Sequence, residues 1–269
     1  MDQLDGRVAV ITGGASGIGL GLATRFAAEG MRLMLADIEA ASLEAAASDL
    51  RAHGATVATR VCDVSDADAV EALASETYST FGAAHIVCNN AGVVTRHESW
   101  GPLDDWEWVL GVDLWGVIHG VRSFVPRMLE GGEPGHIMNT ASTAGLLAFP
   151  GIASYNVAKR GVVALAESMH HELASTPLSV SVLCPGIVLT RIGESERNRP
   201  GRDPAPFAGG PSAEANEAMT PAEVADVALD AIRSGTFWIL PHPHYGEQAL
   251  QQAQRRISGG PPVVPRIDR

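Results

Sequence analysis

This sequence of 269 residues has few cysteines and few aromatic residues. Its three cysteines, Cys62, Cys88 and Cys184, lie far apart, and so sparse and odd a set argues against a disulfide framework and against a zinc site. Each ends an apolar run, which predicts a buried thiol that fills core space in a reducing compartment. Aromatic residues make up 5% of the chain although 46% is hydrophobic, so small and branched aliphatic side chains must form most of the core.

The sequence also lacks a long apolar run and an excess of basic residues. No stretch of about 18 uncharged apolar residues occurs, so we expect no membrane span. The short polar segment 1–7 does not have the charged-then-apolar pattern of a signal peptide. With 19 basic and 31 acidic side chains the net charge is −12, which repels a phosphate backbone. We therefore predict a cytoplasmic protein that binds neither membranes nor nucleic acid.

Short apolar segments alternate along the chain with longer helix-like ones. We predict strands at 7–12, 31–36, 56–61, 84–88, 136–140, 178–183 and 237–240, and helices at 17–30, 39–53, from 66, 104–129, 154–174 and 221–234. We expect Ser65 to cap the third helix and Pro126 to bend or end the fourth. The alternation indicates parallel βαβ units: an α/β, single-domain, Rossmann-type doubly wound parallel sheet of about seven strands, with helices on both faces.

No internal repeat or domain boundary interrupts this order. Residues 1–258 are therefore expected to form one domain, and the Pro-rich segment 259–269 a flexible C-terminal tail. Residues 191–219 break the alternation with a high content of glycine, proline and charge. His242 and His244 have no third ligand nearby, so we interpret them as part of a loop rather than as a metal site.

A glycine-rich turn, Thr12–Gly19, joins the first predicted strand to the first helix. Glycine lets the backbone turn sharply and approach a diphosphate, while the helix N-terminus offers free N–H groups to the anion. Asp37 follows Gly17 by 20 residues, the spacing expected of a carboxylate that binds a ribose diol. Because this carboxylate would repel a 2′-phosphate, the sequence predicts NAD as the cofactor. The alternative is an aspartate that only forms a turn after the strand.

Tyr155 and Lys159 are four residues apart on a predicted helix, which places them on one face. A free tyrosine has a pKa of about 10, and a nearby ammonium lowers that pKa by favouring the phenolate. The pair is thus expected to serve as a base in alcohol oxidation and as an acid in the reverse reaction. Ser142, just past the fifth predicted strand, is placed to hold the substrate oxygen beside the tyrosine. By itself the spacing would equally describe a pair on a surface helix.

Together these residues resemble the short-chain dehydrogenase/reductase family in its single-domain form, from about Arg7 to about Leu240. The matching elements are the glycine turn, Asp63-Val64, Asn90-Ala91-Gly92, Ser142, Tyr155 with Lys159, and Pro185-Gly186 with Thr190. The resemblance implies that the cofactor is bound by Gly13, Ser16, Gly17, Ile18, Gly19, Asp37, Ile38, Asp63, Val64, Asn90, Ala91, Gly92, Tyr155, Lys159, Pro185, Gly186, Val188 and Thr190. It also implies a homo-oligomer, a tetramer or a dimer, formed through helices 104–129 and 154–174, and a substrate lid at 191–219.

One residue departs from the family's pattern. The family usually has an asparagine on the helix before the fifth strand, where it supports a water-linked proton path to the lysine; the matching residue here is Asp113. An ionised aspartate donates no hydrogen bond, and its charge would raise the pKa of the lysine. We include Asp113 as a fourth member of the catalytic set beside Ser142, Tyr155 and Lys159. The alternative is that it only packs or caps locally.

The expected substrate is a hydrophobic secondary alcohol or its ketone, a class that includes aryl-bearing alcohols. We predict apolar pocket walls from Val93–Trp100 and Ala144–Ile152, with further apolar contacts from Ile192, Phe207 and Met219. Two alternatives stay open, since a fold does not determine a reaction. One is another reaction on the same scaffold, such as dehalogenation or epimerisation. The other is a non-catalytic protein that binds or senses NAD.

Overall fold

Seven parallel strands form one sheet in this computed structural model, which describes residues 1, 3–201 and 218–266. The strands are β1 Val8–Thr12, β2 Arg32–Asp37, β3 Val57–Val61, β4 Ile86–Asn89, β5 Gly135–Thr140, β6 Leu178–Leu183 and β7 Trp238–Ile239. Their order across the sheet is β3-β2-β1-β4-β5-β6-β7. The predicted Rossmann-type sheet is thereby confirmed. Its order reverses direction between β1 and β4, where doubly wound sheets open a crevice at the carboxyl ends of their strands.

Helices cover both faces of the sheet. They are α1 Gly17–Ala28, α2 Ala40–Ala52, α3 Ala67–Phe81, α4 Leu103–Leu110, α5 Gly116–Gly131, α6 Ala153–Glu172, α7 Pro221–Ser234 and α8 Pro243–Ile257. One apolar core joins α1, α2 and α7 to the sheet, and a second joins α3, α5 and α6 to the opposite face. The central strand β1 is fully buried, because neighbouring side chains along it enter opposite cores.

Two local predictions are corrected, and one helix was not expected. Asp66, not Ser65, caps α3 by accepting a hydrogen bond from the Asp68 N–H, while the Ser65 hydroxyl donates to Asp63. The helix expected at 104–129 is interrupted by a π-helical turn at Gly111–Trp115, and Pro126 lies inside α5 without ending it. Helix α8 was not predicted; it begins at Pro243, directly after His242.

The cysteines are buried and unpaired, which confirms their expected place in the core. Within the described part of the chain, no group of three or more His, Cys, Asp or Glu side chains could hold a metal ion, and no helix is long and apolar enough to cross a membrane. Residues 260–266 have no regular structure, but the backbone N–H and carbonyl groups of Val263 and Arg266 are hydrogen-bonded to the side-chain amides of Gln252 and Gln248 in α8. The flexibility expected of segment 259–269 stays a prediction.

Candidate active site

A cleft of about 610 Å³ opens at the carboxyl ends of the strands. It is lined by nearly all the residues that the sequence indicates: Gly13, Ser16, Gly17, Ile18, Asp37, Ile38, Asp63, Val64, Asn90, Ala91, Gly92, Ser142, Tyr155, Lys159, Pro185, Gly186, Val188 and Thr190. Gly19 and Asp113 are the two exceptions, and both are buried directly behind the cleft wall. The fold therefore brings residues that are widely separated in the chain onto one surface.

The glycine turn has no room for side chains at two positions. A Cβ on Gly19 would lie 2.0 Å from the carbonyl oxygen of Gly13, and a Cβ on Gly13 would lie 2.9 Å from the Ala91 Cα. Gly13 and Gly17 also have positive φ angles, +66° and +54°, which side chains disfavour. The backbone can thus approach a ligand closely at the N-terminus of α1, where free N–H groups attract an anion. These features fit a dinucleotide diphosphate.

Asp37 ends β2 at the edge of the cleft and is held in a fixed orientation. Its Oδ2 accepts a hydrogen bond from the Ala15 N–H at 3.0 Å, and its Oδ1 accepts one from the Glu39 N–H at 3.0 Å. Each carboxylate oxygen can accept a further bond from a ligand. Two ribose hydroxyls therefore fit this carboxylate, whereas a phosphate would meet its negative charge.

Asn90 connects the ends of three strands. Its Nδ2 donates to the Thr12 carbonyl at 3.0 Å, and its Oδ1 accepts from the Thr140 hydroxyl at 3.3 Å. The Thr12 hydroxyl in turn accepts from the N–H groups of Asn90 and Ala91 at 2.9 and 3.1 Å. Asn90 thus holds β1, β4 and β5 together where the cleft begins, in addition to lining it.

Tyr155, Ser142 and Lys159 converge at the inner end of the cleft. The Ser142 hydroxyl lies beside the Tyr155 hydroxyl and lowers the pKa of Tyr155, and it accepts the Ala144 N–H at 3.1 Å. The Lys159 Nζ lies 5.5 Å from the centre of the Tyr155 ring and donates to the Thr140 carbonyl at 3.1 Å. The arrangement presents two hydroxyls and one buried cation to a ligand in the cleft.

Asp113 forms a buried ion pair with Lys159. Its Oδ2 lies 3.1 Å from the Lys159 Nζ, with the two side chains 0% and 3% exposed, and its Oδ1 accepts the Val93 N–H at 2.8 Å. Asp113 lies in the π-helical turn at Gly111–Trp115, and such turns are frequent at functional sites. The carboxylate therefore contacts the lysine directly.

Burial and charge act on Tyr155 in opposite directions. Burial raises the pKa of Tyr155, Lys159 lowers it, and the Asp113 carboxylate raises it again, so the net pKa is above its ordinary value. The pKa of Lys159 is also raised, because the attraction of Asp113 and Tyr155 outweighs the effect of burial. This differs from the sequence-based expectation that Lys159 brings the pKa of Tyr155 below normal. Lys159 lowers the pKa of Tyr155 as expected, but burial and the Asp113 carboxylate together raise this pKa by more.

His242 fixes the loop after β6 that lines the cleft. Its Nδ1 accepts the Gly186 N–H at 3.0 Å, and its Nε2 donates to the Ile187 carbonyl at 3.1 Å. His242 lies in the bend before α8, as the loop interpretation expects, and it is buried, whereas His244 lies inside α8. The long sequence separation between Gly186 and His242 left no pattern from which this contact could be predicted.

The remaining walls are largely apolar, but not all come from the expected segments. Val93 and Val94 line the cleft as predicted, and so does Ile192; Trp108 and Val112 were not expected. None of residues 144–152 lines the cleft itself; Ala144, Phe149 and Ile152 instead pack in the apolar cluster that contains Val93, Val94 and Tyr155. Phe207 lies outside the described residues. Met219 pairs with Val188 instead of facing the cleft.

Comparisons with known proteins agree with this geometry. The sequence model of the short chain dehydrogenase family matches residues 7–201. The chain is 38% identical to a 1-deoxy-11-beta-hydroxypentalenate dehydrogenase of Streptomyces avermitilis over 88% of this chain and 85% of the relative. It is 31% identical to a C alpha-dehydrogenase of a Sphingobium species over 98% and 89%. A solved short chain dehydrogenase/reductase from Burkholderia phymatum in complex with NAD superposes with a TM-score of 0.93 at 37% identity, covering 99% of both chains.

Proposed function

Since the chain belongs to the short-chain dehydrogenase family, we propose that it is an NAD-dependent oxidoreductase that interconverts a hydrophobic secondary alcohol and its ketone. The observation that carries this proposal is the convergence of Ser142, Tyr155 and Lys159 at the inner end of a cleft that begins at a diphosphate-type glycine turn. The glycine turn would hold the diphosphate of a dinucleotide, and the two hydroxyls line the inner end of the same cleft.

The cofactor is NAD. The N–H groups of the glycine turn would hold its diphosphate, and Asp37 would accept hydrogen bonds from the adenosine ribose. Asp63 and Val64 would flank the adenine, Asn90 to Gly92 would line the ribose path, and Val188 and Thr190 would hold the carboxamide. The Burkholderia phymatum relative, solved with NAD, supports this assignment. The preference for NAD over NADP rests on the charge of Asp37.

The residues of the chain supply orientation and proton control. Ser142 and Tyr155 bind the substrate oxygen; in oxidation Tyr155 accepts the hydroxyl proton, and in reduction it donates a proton to the carbonyl oxygen. A nicotinamide cofactor, when bound, would supply the hydride chemistry at the substrate carbon. Lys159 stabilises the phenolate by its charge, and Asp113 is a positioning residue that acts through Lys159. Burial and the Asp113 carboxylate oppose this effect of Lys159 and hold the pKa of Tyr155 above its ordinary value.

The walls of the cleft support a hydrophobic substrate. Val93, Val94, Trp108, Val112 and Ile192 face the space beside Tyr155, and such a surface gains free energy by excluding water from an apolar molecule. The names of two relatives, a hydroxypentalenate dehydrogenase and a C alpha-dehydrogenase, are consistent with the oxidation of a hydroxyl group. The retained catalytic set makes a purely NAD-sensing protein the less favoured alternative.

The test is NADH fluorescence during incubation with NAD and a panel of hydrophobic secondary alcohols and polyols. We expect turnover of the former, and a fall of about 10²–10⁴-fold in Tyr155→Phe with NAD binding retained. Tyr78→Phe is the matched control, because Tyr78 lies on α3 away from the cleft. Turnover of polyols alone would refute the substrate class, and full activity of Tyr155→Phe would refute the mechanism.

We also propose a homo-oligomer, a tetramer or a dimer, in the cytoplasm. On the helices expected to pair, Trp115 is 51% exposed and Val157 is 50% exposed, and burial of these side chains against a second copy of the chain would stabilise the assembly. Light scattering coupled to size exclusion measures the mass of the assembly, and a monomer at micromolar concentration would contradict the proposal.

A further inference from the structure

Residues 191–200, here called the strap, cross the cleft above the glycine turn. The strap starts next to the turn, since the Thr190 Cγ2 lies only 3.1 Å from the position of a Cβ on Gly17. It continues as a 3₁₀ helix, Ile192–Asn198, and several of its residues line the cleft. The strap is described in full, whereas residues 202–217, which follow it, lie outside the described part of the chain.

One side of the strap is fastened to Glu39, just after β2. The Glu39 Oε1 accepts hydrogen bonds from the Arg197 guanidinium, one of them at 3.0 Å, and from the Asn198 Nδ2 at 3.0 Å. Arg191 lies 3.9 Å from the Glu39 Oε2. Burial raises the pKa of Glu39, but the hydrogen bonds from Arg197 and Asn198 and the two arginine charges outweigh it, so the pKa is lowered and the contact is ionic at neutral pH.

The other side of the strap is fastened beyond β4. The Ser195 hydroxyl accepts the Val94 N–H at 2.9 Å and lies 3.0 Å from the Val94 carbonyl. Arg199 forms a buried ion pair with Asp105 of α4, in which the side chains are 4% and 6% exposed. Because β1 lies between β2 and β4 in the sheet, these anchors stand on either side of the glycine turn, and the strap passes over it.

We propose that Glu39 is a positioning residue that holds the strap closed over the bound dinucleotide, so that the cofactor leaves only when the Glu39–Arg197 contact opens. This rests on the proposed binding of NAD in the cleft. The contact that opens is the one at Glu39, because the side chains of Glu39 and Arg197 are each 21% exposed. The Arg199 side chain is only 4% exposed, and its guanidinium carbon lies 5.0 Å from the centre of the Trp108 ring. A water-accessible ion pair opens at a lower cost than a buried one.

The experiment measures NADH dissociation by stopped-flow fluorescence, with excess NAD as the displacing ligand. We expect Glu39→Gln and Arg197→Gln each to speed dissociation by about threefold to tenfold, as for loss of one partly exposed charge-assisted contact. The double variant should dissociate no faster than the faster single variant, since both changes remove the same contact. Glu44→Gln is the matched control, because Glu44 pairs with Arg51 on the same helix and does not touch the strap.

A second readout needs no cofactor. Hydrogen exchange of the strap amides in the free protein should become faster in Glu39→Gln and stay unchanged in Glu44→Gln, with equal melting temperatures. Unchanged NADH dissociation in both Glu39→Gln and Arg197→Gln would overturn the proposal, and so would additive effects in the double variant. If the wild-type protein does not bind NADH at all, the proposed cofactor site is wrong. If the wild-type protein binds NADH and the variants release it at the wild-type rate, only the role of Glu39 is wrong.

Discussion

Replacing Asp113 by asparagine removes one charge from the catalytic set and changes little in its shape. The remaining amide oxygen can still accept the Val93 N–H, but the counterion of Lys159 is lost. The positive charge of Lys159 then lowers the pKa of Tyr155, and no carboxylate charge raises it in return. At an effective dielectric constant of about 20, removal of a unit charge several ångström away changes a free energy by roughly 2 kcal/mol, or between about 1 and 2 pKa units. We expect the pKa of Tyr155 to fall by this amount.

The assay is the pH dependence of kcat/KM for alcohol oxidation. The acidic limb reports the loss of the Tyr155 proton in the Tyr155–Lys159 pair, because oxidation needs the phenolate. The groups that face Tyr155 are Lys159, Asp113, the Ser142 hydroxyl and Cys184, whose thiol has its pKa raised to about 12 and stays protonated over this range. In Asp113→Asn the limb should move to lower pH by about 1–2 units. A limb that stays in place or moves to higher pH would refute the reasoning.

A spectroscopic measurement separates this effect from a loss of folding. Tyrosinate absorbance of the free protein, with Tyr155→Phe subtracted, follows the ionisation of this residue among the three tyrosines of the chain. It should show the same direction of shift as the rate profile. Asp113→Ala is a structural contrast. It leaves the buried Lys159 without its counterion and the Val93 N–H without its acceptor, and should cost about 3–5 kcal/mol in urea unfolding.

Two further predictions concern the cofactor cleft. Asp37→Ser should weaken NAD binding by about 10–100-fold, because it removes charge-assisted hydrogen bonds to the ribose. It should also improve the use of NADP, because it removes the repulsion of a 2′-phosphate. KM values for both cofactors measure these effects, and an unchanged ratio of the two KM values would contradict the role of Asp37. Gly19→Ala should destabilise the fold or abolish NADH binding, since the added Cβ would lie 2.0 Å from the Gly13 carbonyl oxygen. A wild-type melting temperature together with a wild-type NADH titration curve in Gly19→Ala would contradict this prediction, because it would show that the turn can accommodate a side chain at this position.

The alternation of strands and helices was readable in the sequence because each buried strand must be a short apolar run. The ends of individual helices were harder to predict from the sequence. Ser65 and Asp66 are both good N-cap residues, and only the backbone geometry decides that Asp66 accepts the Asp68 N–H. Helix α8 was missed because its mean hydropathy is low and its N-terminal His-Pro-His segment resembles a loop.

The sequence by itself determined the residue types of the site and their placement at the ends of strands, since glycine turns, the Asp37 spacing and the Tyr155–Lys159 pair are local patterns. Only the tertiary structure decided what acts on those residues from a distance. Three contacts join segments that are 46 to 158 residues apart in the chain. They are the ion pair of Asp113 with Lys159, the hydrogen bond of Gly186 to His242 and the ion pair of Arg197 with Glu39. Such contacts depend on how helices pack across a folded sheet, and no short-range periodicity records them.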